Sequence, residues 1–156
     1  MIRPENLVGR RLLQVTTSWH HSPETEPSLI HMWLHVDGLG PVRFHTSGSG
    51  GLALEVDQPH DPYDMDEYGR TTVEGDVRDF PMSPFIGQQI LAIRKIHYRD
   101  GNVDFAIGIG MQFTGGTVRV LNLADDLILA HEQHLGAVEK YLHEAAISNT
   151  ALPSAP

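Results

Sequence analysis

Cysteine is absent from the 156 residues. A disulfide framework, a thiolate metal site and a cysteine nucleophile are therefore excluded. No apolar run approaches the ~20 residues of a membrane-spanning helix. The opening MIRPENLVGRR also lacks the apolar centre of a secretory signal, so a cytoplasmic protein is expected. Basic residues are few, eleven against twenty acidic ones, for a formal charge of −9. A field of that sign repels phosphate backbones, and the arginines and lysines form no patch, so nucleic-acid binding is not expected.

Catalytic signatures are missing as well. No serine stands in a Gly-x-Ser-x-Gly turn between strand and helix. Ser47-Gly48-Ser49-Gly50-Gly51 lacks the Lys-Ser/Thr of a phosphate loop and runs into a strand. The expectation is a binding protein without catalytic residues or cofactor.

What the chain does carry is alternation. In Asp104 to Val120, Ile107, Ile109, Met111 and Phe113 alternate with Gly108, Gly110, Gln112 and Thr114. Period two is the signature of a strand with one buried face. Gly115-Gly116 suits a hairpin turn, after which Val118 and Val120 resume the buried face. An earlier stretch repeats the order. Leu7 to Val15 lies over Phe85 to Ile93, Ile30-Met32-Leu34-Val36 over the alternating strand, Val42-Arg43-Phe44 over Val118-Arg119-Val120, and Leu52 to Leu54 over Leu127 to Leu129. The offset drifts only from 78 to 75 residues.

The expected fold is mainly β (α+β), one domain over residues 1–148. It consists of two four-stranded antiparallel meanders related by an internal repeat, about 7–58 and 85–133. Their strands lie near 10–17, 29–36, 41–46 and 52–57, then near 89–98, 104–113, 117–122 and 126–131. Packing them as a sandwich or partly open barrel buries both apolar faces. Ala124-Asp125-Asp126 also reads as the start of a long helix, but the repeat favours strand there. Residues 57–84 read as an acidic, proline-containing linker. Leu135, Val138, Leu142, Ala145 and Ala146, at spacings of three and four, predict a C-terminal helix over 132–147. That helix is expected to cover the bare strand face at Gly108 and Gly110, ahead of a disordered tail at 149–156.

Two segments are candidate sites. Residues 57–68 hold Asp57, Asp61, Asp64, Asp66 and Glu67 with no basic residue, interleaved with His60, Tyr63, Met65 and Tyr68. Tyrosine buries much area at small entropic cost, and carboxylates around it steer a basic partner. His60, Asp61, Tyr63, Asp64, Asp66, Glu67 and Tyr68, with Trp33 as an exposed anchor, form the expected partner-binding set. The same run reads equally as a solvated linker, and it lacks the glycine and twelfth-position glutamate of a calcium loop.

The second segment is the outward face of the first meander, carrying His31, Trp33 and His35. If Val36 pairs with Val42, His45 lies opposite Trp33. Three imidazoles then suggest zinc or iron, although His31 and His35 stand ~13 Å apart along the strand. A small barrel enzyme or ligand carrier using this face is the alternative function. His131, Glu132 and His134 lack zinc-helix spacing, and nothing converges on His20-His21.

The second half, with Gly87, the strand DFAIGIGMQF, the Gly115-Gly116 turn and Leu121 to Leu127, resembles the small acidic immunity proteins that bacteria make against polymorphic or contact-delivered toxins. The resemblance covers about a third of the chain. It implies a cytoplasmic inhibitor without cofactor that neutralises a basic toxin domain by direct contact. A homodimer through an exposed strand edge is a further expectation.

Overall fold

In a computed structural model the structure describes residues 2–75, 78–131 and 135–146. Among these residues eleven strands form two antiparallel sheets packed like a sandwich rather than a closed barrel. The first six are β1 (Leu12–Ser22), β2 (Thr25–Val36), β3 (Gly40–Thr46), β4 (Leu52–Val56), β5 (Tyr63–Asp64) and β6 (Arg70–Glu74). They form one sheet in the order β4-β3-β2-β1-β6-β5. The others are β7 (Ile90–Asp100), β8 (Val103–Phe113), β9 (Gly116–Leu123), β10 (Asp126–Ala130) and β11 (Leu142–Ala146), ordered β10-β9-β8-β7-β11. No helix among the described residues is long and apolar enough to cross a membrane.

Alternation builds the core. Met32, Leu34, Val36, Val42, Phe44 and Leu54 from the first sheet meet Ile109, Met111, Phe113, Val118, Val120 and Leu127 from the second. Burying each such side chain contributes about 1.5–3 kcal/mol.

The two sheets are joined where their first strands begin, by reciprocal bonds. Gly9 N–H donates to Ile90 O and Gly87 N–H to Leu12 O, both at 2.7 Å. The side chain of Gln89 donates to Gly9 O at 2.8 Å, and that of Arg11 donates to Gly87 O. Each bond has its counterpart 78 residues along the chain. Gly9 and Gly87 both take positive φ, +86° and +92°, which glycine adopts without strain.

Several expectations are corrected. No helix forms in the described part of 132–147, of which 132–134 and 147 lie outside the described residues, as does the expected tail. Instead a 3-10 turn at Gly136–Tyr141 leads into β11, which pairs with the open edge of β7. Gly136 at φ +71° resists helix propagation, and pairing with an exposed edge satisfies a whole row of backbone groups. Arg119 holds the turn against the sheet through Glu139 at 2.8 and 3.2 Å. Leu135 and Leu142 pack on a second cluster of Ile96, Ile107 and Leu121, outside the sandwich. Glu144 reaches over Gly110, so this segment covers part of the expected face as turn and strand.

Ile107 was expected in the main core. A register shift between Ile96 and His97 gives β8 an extra residue, and Ile107 turns to the outer cluster. Gly108 must stay bare there, because a Cβ would lie 2.1 Å from Val120 O. The β8–β9 turn is Thr114-Gly115, one residue earlier than expected. Residues 18–28, between the expected first two strands, extend the β1–β2 hairpin, and β6 pairs with Thr17 to His21. The expected linker 57–84 thus contains two strands. Residues 126–130 form a strand, not the start of a helix.

Candidate functional site

β4 and β5 lie on opposite edges of the six-stranded sheet, so the chain between them must cross that sheet. Five strand spacings amount to about 24 Å. The seven steps from Val56 to Tyr63 reach about 23–25 Å fully extended. Pro59 and Pro62 hold φ near the extended value and keep their neighbours out of the helical region, which suits this crossing. The inner face is filled by core, so the segment runs over the outer one as a strap.

At mid-strap His60 sits edge-on to Trp33 and His31, with ring centroids at 5.3 and 5.8 Å. Its Nδ1 donates to Asp61 O at 3.0 Å, and Tyr63 lies 5.5 Å beyond. Trp33, expected as an exposed anchor, is therefore fully buried. The strap's root is fixed by Arg43, which bridges Glu55 and Asp57, the latter at 2.9 Å.

The β2–β3 register differs from the expected one by two residues. Gly38 and Gly40 at positive φ close a three-residue turn at 37–39, so Leu34 pairs with Val42 and Trp33 with Arg43. His45 consequently stands beside His31, with rings 5.7 Å apart, not opposite Trp33. His35, on the same face two residues past Trp33, engages β1 instead, its Nε2 2.8 Å from Thr16 Oγ1. Among the described residues no group of three or more His, Asp or Glu side chains could hold a metal ion. The trio His31, His35 and His45 is thus not gathered, and the strap histidine His60 takes the third place beside His31.

This floor is polar and tightly covered. His31 Nδ1, Trp33 Nε1, Arg43 Nε and His45 Nε2 are buried without a protein hydrogen-bond partner. Burial, with the nearby Arg43, His45 and His60, pushes the His31 pKa down to about 4, against a smaller opposing effect of Asp57. Burial also lowers that of His35.

Beyond the strap the chain forms a compact edge hairpin. Asp64 Oδ1 accepts from Asp66 N–H at 2.8 Å, Met65 N–H donates to Gly69 O at 2.7 Å, and Thr71 Oγ1 donates to Met65 Sδ. His20 Nε2 meets Tyr68 O at 2.7 Å. Gly69, at φ +103°, has no room for a Cβ, which would lie 2.0 Å from His21 O. These ties hold the backbone while the side chains stay out: Tyr63 is 49% and Tyr68 70% exposed, and Met65 is exposed beside them. Asp61, Asp64, Asp66 and Glu67 are exposed around them.

No protein-family model, curated protein or solved structure matches the chain.

Proposed function

We propose that this is a cytoplasmic binding protein whose contact surface is the edge hairpin and strap at residues 60–68. The observation that carries the reading is the pre-set display of Tyr63, Met65 and Tyr68 among four exposed carboxylates. Amphipathic anchors on a fixed backbone bind with little ordering cost, and the surrounding charge selects a basic surface. Trp33 contributes from beneath, as the floor on which His60 rests.

In the specific form suggested by the likeness to immunity proteins, the partner is a basic toxin domain neutralised by direct contact without a cofactor. We further infer that the two meanders descend from one duplicated unit, which the junction bonds recurring at 78 residues support.

The test is co-expression with the toxin-like product of a neighbouring gene, followed by calorimetric titration. Tyr63→Ala/Tyr68→Ala should weaken binding by at least about tenfold, and Asp64→Lys/Asp66→Lys should slow association and flatten its salt dependence. Unchanged affinity in both variants removes the hairpin from the interface.

The buried polar atoms without a hydrogen-bond partner on the histidine-lined floor, His31 Nδ1 and Trp33 Nε1 foremost, favour a second reading, a ligand carrier or small enzyme that takes its ligand beneath the strap. Native mass spectrometry and metal analysis separate the two. A stoichiometric bound species lost in His31→Ala/His45→Ala supports the second reading and counts against the first.

A further inference from the structure

The β1–β2 hairpin is much longer than the strand that faces it. β1 and β2 have eleven and twelve residues, while β10, which packs against β2, has five. At the overhanging end no further strand closes the sheets among the described residues, and the turn that carries Arg78 to Pro81 lines the opening. Pro27 in β2 and Pro81 in the turn offer no N–H for a further rung. The outcome is a cleft of about 810 Å³ leading in between the sheets.

Its walls and mouth differ in chemistry. Trp19 and Phe80 meet edge to face with centroids 6.2 Å apart, and Leu29, Leu127 and Leu129 complete an apolar wall. Glu74, Asp79 and Asp126 stand with Arg78 among the lining residues, three carboxylates to one guanidinium. All four are exposed, and no other described side chain engages them in an ion pair or hydrogen bond. The volume is that of a small-molecule site, and most such sites join an apolar body to a few oriented polar groups. Excess carboxylate at the mouth and aromatic rings in the wall both favour a cationic head.

We propose that this cleft binds a small amphipathic cation, an alkyl or aryl amine, with its apolar body between the sheets and its ammonium at the mouth. The strap lies on the outer face of the same sheet, so this site is separate from the contact surface at residues 60–68.

Three probes of one chain length test it: n-octylammonium, n-octanol and n-octanoate, titrated into the full chain and followed by calorimetry and Trp19 fluorescence. The ammonium should bind saturably at one per chain, ahead of the alcohol, with the carboxylate last. Asp79→Asn/Asp126→Asn should weaken the ammonium by about fivefold or more and leave the alcohol unchanged. Leu129→Trp, which fills the wall, should weaken all three. Since a core change can disturb folding, the charge variant carries the decision. Absence of saturable binding at millimolar probe, preference for octanoate, or an ammonium affinity indifferent to the charge variant overturns the proposal.

Discussion

His31 under the strap makes stability depend on pH in a direction the structure dictates. It faces His45 and Arg43 on β3, His60 on the strap and, at the strap's root, Asp57, with Glu55 joined to Arg43. Burial holds its pKa at about 4, below the ordinary 6.5. Above pH 6.5 the imidazole is neutral in both folded and unfolded chains, and full stability is present. As pH falls through that value the unfolded chain takes up the proton first, so stability is lost progressively until the folded pKa is reached. A fully desolvated ring with this difference would contribute about 3.4 kcal/mol. The ring keeps some solvent contact, so screening reduces the figure to about 1–2 kcal/mol. Urea unfolding of the wild type and of His31→Gln, from neutral pH down to about 4.5, reads the effect. The wild type should lose about 1–2 kcal/mol more than the variant over this window, so their curves converge on acidification. Parallel curves would refute the assignment of the burial cost to His31.

Other expectations follow from single positions. Gly108→Ala should destabilise by about 3 kcal/mol or more, since its Cβ meets the backbone of β9, whereas Gly110→Ala is tight only against the side-chain end of Glu144, with Ile96 at ordinary contact, and should cost under about 1 kcal/mol. Thermal melts of the two variants make the comparison. Ala124, at φ +54°, is strained in the β9–β10 turn, and Ala124→Gly should raise stability by about 0.5–1 kcal/mol in urea titration. Pro59→Gly/Pro62→Gly loosens the unfolded strap and should cost about 1 kcal/mol, with cleavage in limited proteolysis moving to residues 57–62.

The antiparallel sheets were legible because period two survives in Met32 to Val36 and Ile109 to Phe113, and because glycines mark their turns. The bulge that turns Ile107 outward was not, since an extra residue leaves the alternation unchanged. Leu135, Val138 and Leu142 show helical spacing, but spacing does not reveal that the edge of β7 is open to pairing. β5 and β6 hold few apolar residues and exist because β6 pairs with β1 and β5 with β6, a long-range cause invisible in local pattern. At the site, composition singled out His60, Tyr63 and Tyr68. The placing of His60 on Trp33 follows from β4 and β5 lying at opposite edges, which only the completed topology shows. The distance from His31 to His35 along one strand was legible, but the placing of His45 beside His31 depended on the turn at 37–39, where two glycines permit a register two residues from the one expected.

The junction of Gly9 to Leu12 with Gly87 to Ile90 is a clasp whose two jaws are alike. Such a clasp does not distinguish the half on its own chain from the half on a neighbouring molecule. Tethering keeps the closed form dominant in dilute solution, because the second half is always near at hand. Refolding at high protein concentration removes that advantage. Exchanged pairs that preserve every junction bond are the species this symmetry makes accessible there.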